Sequence, residues 1–207
     1  HREKLPIICG GTGFYIDALL GTASLPEVPP DKELRERLEK LSADKLYARL
    51  EKFDPRRALT IDQHNKRRLI RALEIIAQTV KPIPESKPES KYETLWVGIN
   101  PQKEVLAKRI EKRLDDRLKH GMIAEVKKLH NQGVSWKRLE NFGLEYRWIA
   151  RYLQNKISKE EMRVLLLRDI IKYSKRQMTW WKRNKDITWF KEPSQPLAGI
   201  KNLLTQN

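Results

Sequence analysis

The chain has 207 residues, a single cysteine, and 43 lysines and arginines against 27 acids, a formal charge of +16. This length fits one domain, or one domain with a smaller insertion; one cysteine excludes a disulfide framework, and no run of residues approaches a membrane span or a secretory signal. A field of this sign attracts polyanions, and six tryptophans offer stacking surfaces, which favours nucleic acid over a small acidic metabolite; the other reading is a solvated basic surface.

The apolar run Leu5-Pro6-Ile7-Ile8-Cys9 predicts a buried strand with Cys9 as an inert thiol inside it. Gly10-Gly11-Thr12-Gly13 follows as a tight turn, and Phe14, Ile16, Ala18, Leu19 and Leu20 then take helical spacing. Glycines let backbone N–H groups approach an anion, the first helical turn leaves donors unpaired, and Thr12 adds a hydroxyl at the mouth. The other reading is a plain strand-to-helix connection.

Gly21 to Pro30 is a proline-rich connection. Asp31 caps a helix carrying Leu34, Leu38 and Leu41, Ser42 opens a second with Leu46 and Leu50, and Asp54-Pro55 ends the pair. A third helix runs from about Asn65 to Thr79 with Leu69, Leu73 and Ile76 buried; Arg67, Arg68 and Arg71 share its other side as a phosphate patch or a solvated face, and Glu74 is within reach of Arg71. Lys81 to Lys91 is a linker by composition, so Pro29 to about Lys91 is a helical insertion.

Thr94 to Ile99 predicts a buried strand that Asn100-Pro101 stops. Lys103 to Lys119 is an amphipathic helix with Leu106, Ile110, Leu114 and Leu118 as its apolar stripe. Arg109, Arg113 and Arg117 repeat the same step beside it, suited either to phosphate or to surface pairs with Glu111, Asp115 and Asp116. Gly121 and Gly133 bracket a further helix, and Trp136 to Arg147 reads as less regular, a turn leading into a helix with Trp148 and Leu153. The last helix opens on the capping box Ser158-Lys159-Glu160-Glu161 and ends in a stretch dense in cations and aromatics, Ser174 to Arg183, fit either to grip a backbone and stack a base or simply to complement the helix dipole. Asp186 to Phe190 is a final short strand. No glycine cluster fits the P-loop pattern, no Cys/His spacing suits zinc, and no nucleophile elbow or convincing general base is present.

Four segments in order, Gly10-Gly11-Thr12-Gly13-Phe14-Tyr15-Ile16, Asn65-Lys66-Arg67-Arg68-Leu69-Ile70-Arg71-Ala72-Leu73-Glu74, Arg109-Ile110-Glu111-Lys112-Arg113 and Lys175-Arg176-Gln177-Met178-Thr179-Trp180, resemble the tRNA dimethylallyltransferases, also called tRNA isopentenyltransferases. The resemblance implies an α/β fold: a P-loop kinase-like parallel sheet core, truncated at its N-terminus, over 1–28 and 92–192, an all-α helical insertion domain over 29–91, and a polar tail over 193–207. It implies transfer of a dimethylallyl group from dimethylallyl diphosphate to N6 of the adenosine next to the anticodon, position 37, with the adenine flipped out of its stack. Thr12 and Arg113 are then the catalytic positions, Gly10, Gly11, Thr12, Gly13 and Arg113 hold the diphosphate, and Mg²⁺ assists through ligands that lie outside this chain.

By the same resemblance the anticodon stem-loop of tRNA meets Thr12, Arg35, Arg67, Arg68, Leu69, Ile70, Arg71, the segment Glu140-Asn141-Phe142-Gly143-Leu144-Glu145, and Lys175 and Arg176; Leu144-Glu145 stands where a tyrosine and a basic residue are common. A cytoplasmic monomer without membrane association is expected. Family members carry a phosphate loop and a general-base aspartate that would precede His1, so this polypeptide matches about the last two thirds of the enzyme and is expected not to turn over by itself. The alternative is a noncatalytic basic RNA-binding protein of the same fold, and a third reading is a small-molecule nucleotide kinase relative.

Overall fold

The computed structural model describes residues 5–22, 26–83 and 92–194. Helix α1 spans Gly13–Leu19, α2 Lys32–Glu39, α3 Ala43–Phe53, α4 Pro55–Thr60, α5 Lys66–Thr79, α6 Lys103–Lys119, α7 Met122–Asn131, α8 Trp136–Phe142, α9 Leu144–Leu153 and α10 Lys159–Trp181; β1 is Val97–Ile99 and β2 Thr188–Phe190. Packing divides the chain into two compact units: residues up to Ile8 with Phe14–Glu93, and Cys9–Gly13 with Thr94 onward.

In the first unit the starts of α2, α3 and α5 are each set by a short polar side chain. Asp31 accepts from the Leu34 N–H at 2.9 Å, Ser42 from Lys45 at 3.3 Å and Asn65 from Arg68 at 3.3 Å, satisfying donors that the first turn leaves unpaired. The spacing of leucines then buries one face: Leu38, Leu46, Leu50, Leu69, Ile70 and Leu73 form the core, with Ala58 of α4 and Ala72 closing it. Each such leucine contributes roughly 2 kcal/mol on leaving water. Asp54-Pro55 does more than end α3. Proline at the first position and the Asp54 carboxylate, bonded to the Arg57 N–H at 3.0 Å, start α4, and the other Asp54 oxygen accepts the Ile83 N–H at 2.9 Å to fasten the chain's exit.

In the second unit Leu114, Met122, Val126, Leu139, Trp148, Ile149, Ala150, Met162 and Leu166 make the core, and α10 packs on α9 and α6. The capping box is present: Glu161 N–H donates to Ser158 Oγ at 3.1 Å and Ser158 N–H to the Glu161 carboxylate at 2.8 Å. β1 and β2 pair in parallel, Val97 opposite Thr188 and Ile99 opposite Phe190.

Four sequence expectations are corrected. Residues 5–9 form no strand and Cys9 is exposed; a strand exists only as a partner in a ladder, and no described residue pairs with this segment. The parallel sheet has two strands of three residues each among the described residues, and its first strand is half-covered, with Val97 and Ile99 exposed. Of the α6 stripe only Leu114 is fully buried, because α6 meets the core mainly at its middle. Trp136 to Arg147 is regular after all: α8 and α9 are separate helices broken at Gly143, whose φ of +80° and ψ of −171° suit glycine. The linker beyond Ile83 and the tail beyond residue 194 lie outside the described residues.

Candidate functional site

The glycine turn lies against the C-terminal half of α10. Thr12 Oγ1 is 3.4 Å from the Tyr173 hydroxyl, and the Trp181 indole N–H donates to the Gly11 carbonyl at 3.3 Å. A Cβ on Gly11 would overlap the Gln177 amide, and one on Gly13 would overlap the Trp180 indole, whereas Gly10 has open space around it. Gly13 is therefore required by close packing against the Trp180 ring, whereas at Gly11 the end of the Gln177 side chain could move aside, and Gly10 and the exposed Thr12 leave backbone and hydroxyl open to a ligand. Tyr173, Gln177 and Trp181 recur every fourth residue on one helical face, a pattern visible in the sequence whose role as a seat for the turn was missed. The same aromatics carry cations: the Arg176 guanidinium lies 5.5 Å from the Tyr173 ring centre and that of Arg183 4.3 Å from Trp180. Lys175 and Arg176 are exposed.

Helix α6 has a basic flank and an acidic flank on either side of Leu114, since at 100° per residue Arg109, Arg113 and Arg117 fall opposite Glu111 and Asp115. On the acidic flank Arg163 of α10 bridges Asp115 at 2.6 Å and Glu111 at 2.9 Å, and this pairing holds the Asp115 carboxyl below its ordinary range. On the basic flank Arg109 pairs with Glu192 at 3.2 Å and Arg117 with Glu145 at 2.6 Å. Arg113, between them, is exposed and makes no ion pair with a described residue. With Lys112, Asp116 and His120 the row makes an open, mostly basic face along α6.

Thr12 meets α10 at Tyr173, and α6 is pinned to α10 at Arg163, ten residues or about 15 Å of helix earlier. Both candidate catalytic residues thus belong to one unit organised on α10, and no hydrogen bond joins Thr12 to Arg113 among the described residues.

Within the first unit, Glu74 has no exposed side-chain surface. One oxygen accepts the Asp31 N–H at 2.7 Å and Arg35 Nε at 2.7 Å; the other accepts Arg35 Nη2 at 2.7 Å and Arg71 Nη1. Burial alone would raise its pKa, but the bonds from Arg35, Arg71 and the Asp31 N–H together outweigh that and hold the carboxyl at about 2. Arg71 also donates to the Val28 carbonyl at 2.8 Å, and Gln78 to that of Pro29 at 2.9 Å, so α5 grips the proline-rich connector. Arg67 and Arg68 are exposed and make no ion pair with a described residue. Leu69 and Ile70, expected at tRNA, are 0% and 4% exposed; their side chains are in the core and withdrawn from any surface ligand.

At the corner between α8 and α9 the expected contact segment divides. Glu140 accepts from Arg151, Gln154 and Lys156 at 3.1 to 3.3 Å, and Glu145 is taken by Arg117. These acids are committed inside the molecule. Burial would raise the Glu140 pKa, and its three donors bring it below the usual value. Asn141 and Phe142 reach solvent; Phe142 is 55% exposed, 5.9 Å from the Arg138 guanidinium and 5.7 Å from the Tyr146 ring. Gly143 and Leu144 are half-buried. Among the described residues no group of three or more His, Cys, Asp or Glu is placed to hold a metal ion.

The described residues form a mainly helical fold with arginine rows on α5 and α6 and guanidinium groups set on aromatic rings at the end of α10, beside the glycine turn. A family model described as IPP transferase matches residues 1–184, and the chain belongs to that family. The tRNA dimethylallyltransferase 2 of Citrifermentans bemidjiense is 38% identical over 213 residues, covering all of this chain and 68% of that relative. The tRNA dimethylallyltransferase of Pelotomaculum thermopropionicum is 40% identical over 198 residues, covering 92% of this chain and 63% of its own length. The chain thus spans about two thirds of the length of these relatives. Among solved structures, the tRNA isopentenylpyrophosphate transferase of Staphylococcus epidermidis matches with a TM-score of 0.62 at 30% identity, over 100% of this chain and 71% of that one. A eukaryotic dimethylallyltransferase acting on tRNA matches with a TM-score of 0.76 at 24% identity, over 100% and 58%, a likeness of fold alone. No described helix is long and apolar enough to cross a membrane.

Proposed function

We propose that this chain serves the transfer of the dimethylallyl group from dimethylallyl diphosphate to N6 of adenosine 37, next to the anticodon of tRNA. The observation that carries the reading is the α6 arginine row, in which Arg113 stands without an acid partner among the described residues while its neighbours Arg109 and Arg117 are held in place by Glu192 and Glu145. Charge that grows on a departing diphosphate is met best by a guanidinium with free N–H donors, since it is always charged and forks onto two oxygens. Arg113 takes the leaving group in this reading. Thr12 and the open backbone at Gly10 line the approach of donor and adenine, and Gly13 lets that turn seat against α10. In the first unit Arg35, Arg67, Arg68 and Arg71 are the tRNA contacts of this reading, and in the second unit Lys175, Arg176, Asn141 and Phe142. A cytoplasmic protein acting as a monomer fits this role.

The test is single-turnover transfer of labelled dimethylallyl groups to tRNA by the protein expressed from its complete gene. Arg113→Ala should slow the chemical step by about 100-fold while leaving tRNA affinity within a factor of two, because the guanidinium acts on charge that develops only in the transition state. Equal rates for the variant and the wild type would remove Arg113 from the reaction.

A further inference from the structure

Glu74 raises a question that the tRNA reading does not answer: why a domain that is to bind a polyanion buries a full negative charge directly beneath two of its arginines. Burying a carboxylate is unfavourable unless every lone pair is met, and a well-packed apolar side chain of similar volume is often as stable. Here every lone pair is met: Arg35 grips the carboxylate with Nε and Nη2, Arg71 with Nη1, and the Asp31 N–H closes the set. A guanidinium has five N–H donors. Arg35 spends two on Glu74, and Arg71 spends one on Glu74 and one on the Val28 carbonyl, so each keeps three. Both side chains remain open to solvent, at 41% and 36% exposure. Arg67 lies one turn before Arg71 on the same side of α5, exposed and without an ion pair to a described residue.

From this geometry we propose that Glu74 is a positioning residue for RNA: it fixes Arg35 and Arg71 as a preset pair whose outward N–H donors, with Arg67, receive consecutive backbone phosphates. The inference rests on the tRNA reading above and adds the device that makes the arginine face rigid. An unconstrained arginine gives up much of its rotamer freedom when it binds. Arginines already anchored to a buried carboxylate have lost that freedom on folding, so the phosphate contact no longer bears it. Two guanidiniums so close would also repel each other, and the shared carboxylate relieves this without occupying their outer edges. The arrangement fits the phosphates of an RNA stem better than a base, because a guanidinium clamped in place offers a fork of fixed direction at a fixed height above the helix surface.

Simple charge counting and this proposal predict opposite results, which makes the test decisive. The probe is a fluorescently labelled RNA hairpin with the sequence of a tRNA anticodon stem-loop, titrated with the full chain between about 50 and 200 mM salt, the range over which phosphate contacts register. Glu74→Gln makes the protein one charge more positive, so a through-space effect alone would tighten binding. Positioning predicts that Kd rises about tenfold and that the salt slope falls by about one to two ions, as contacts from the released arginines are lost. Glu74→Asp keeps the charge but withdraws the carboxylate by one methylene; it should weaken binding in the same direction and decides the matter if Glu74→Gln does not fold, with the thermal transition of each variant recorded beside its Kd. In an Arg35→Ala/Arg71→Ala background Glu74→Gln should add no further loss. Binding by a folded Glu74→Gln variant that equals or exceeds the wild type overturns the proposal, as does a loss that persists in the double-variant background. Failure of the underlying tRNA reading looks different: the wild type itself would not hold the hairpin and Arg67→Ala would change nothing.

Discussion

The Glu74 cluster makes the stability of the helical unit depend on pH in a definite direction. Folding takes the Glu74 carboxyl from about 4.5 to about 2. A lowered pKa contributes stability that is complete above the unfolded value and is lost as the pH falls through the folded one, so the window is pH 4.5 to 2. At neutral pH the shift corresponds to about 3 kcal/mol, and by pH 3 roughly 2 kcal/mol of it is gone, since each unit of pKa is worth about 1.4 kcal/mol. Glu74→Gln removes the titrating group and leaves the other carboxylates alone. Urea midpoints followed by far-ultraviolet circular dichroism at pH 7 and pH 3 should therefore show the wild type losing about 2 kcal/mol more than the variant. If the two proteins lose stability in parallel, Glu74 is not held ionised in the fold and the cluster as described is wrong.

Two further outcomes test the packing. Gly13→Ala places a methyl group in the Trp180 ring, and the resulting strain of about 1 to 3 kcal/mol should lift the turn from α10, seen as a lower thermal midpoint and a shift in tryptophan fluorescence; Gly10→Ala, in open space, should leave both unchanged. Leu166→Ala at the fully buried centre of the second unit should cost about 2 to 5 kcal/mol in denaturant unfolding, whereas Val164→Ala, 61% exposed on the same helix, should cost under about 1 kcal/mol.

Much of the helical architecture was legible because its signals are local. Asp31, Ser42, Asn65 and Ser158 are short polar residues at the heads of apolar stripes, and each caps the helix it announces. The strand expected over residues 5–9 failed for the opposite reason: an apolar β-branched run is only a preference until a neighbour supplies the ladder, and that neighbour is not encoded locally. Site residues divide in the same way. The spacing of Arg109, Arg113 and Arg117 was plain, but that Glu192 and Glu145 would pair with the outer two and leave Arg113 open depends on distant segments. The pairing of Glu74 with Arg71, three positions apart, was within reach of the pattern; the third member, Arg35, is 39 residues away and became visible only in the fold.

Transfer of a dimethylallyl group to tRNA by this protein is tested most directly in a bacterial strain lacking its own tRNA dimethylallyltransferase, supplied with the complete gene that encodes this chain, by mass spectrometry of nucleosides from its purified tRNA. N6-dimethylallyladenosine is expected when the supplied gene is wild type, and its near absence when it carries Arg113→Ala. Unmodified adenosine in tRNA from cells that contain folded, tRNA-binding wild-type protein would contradict it.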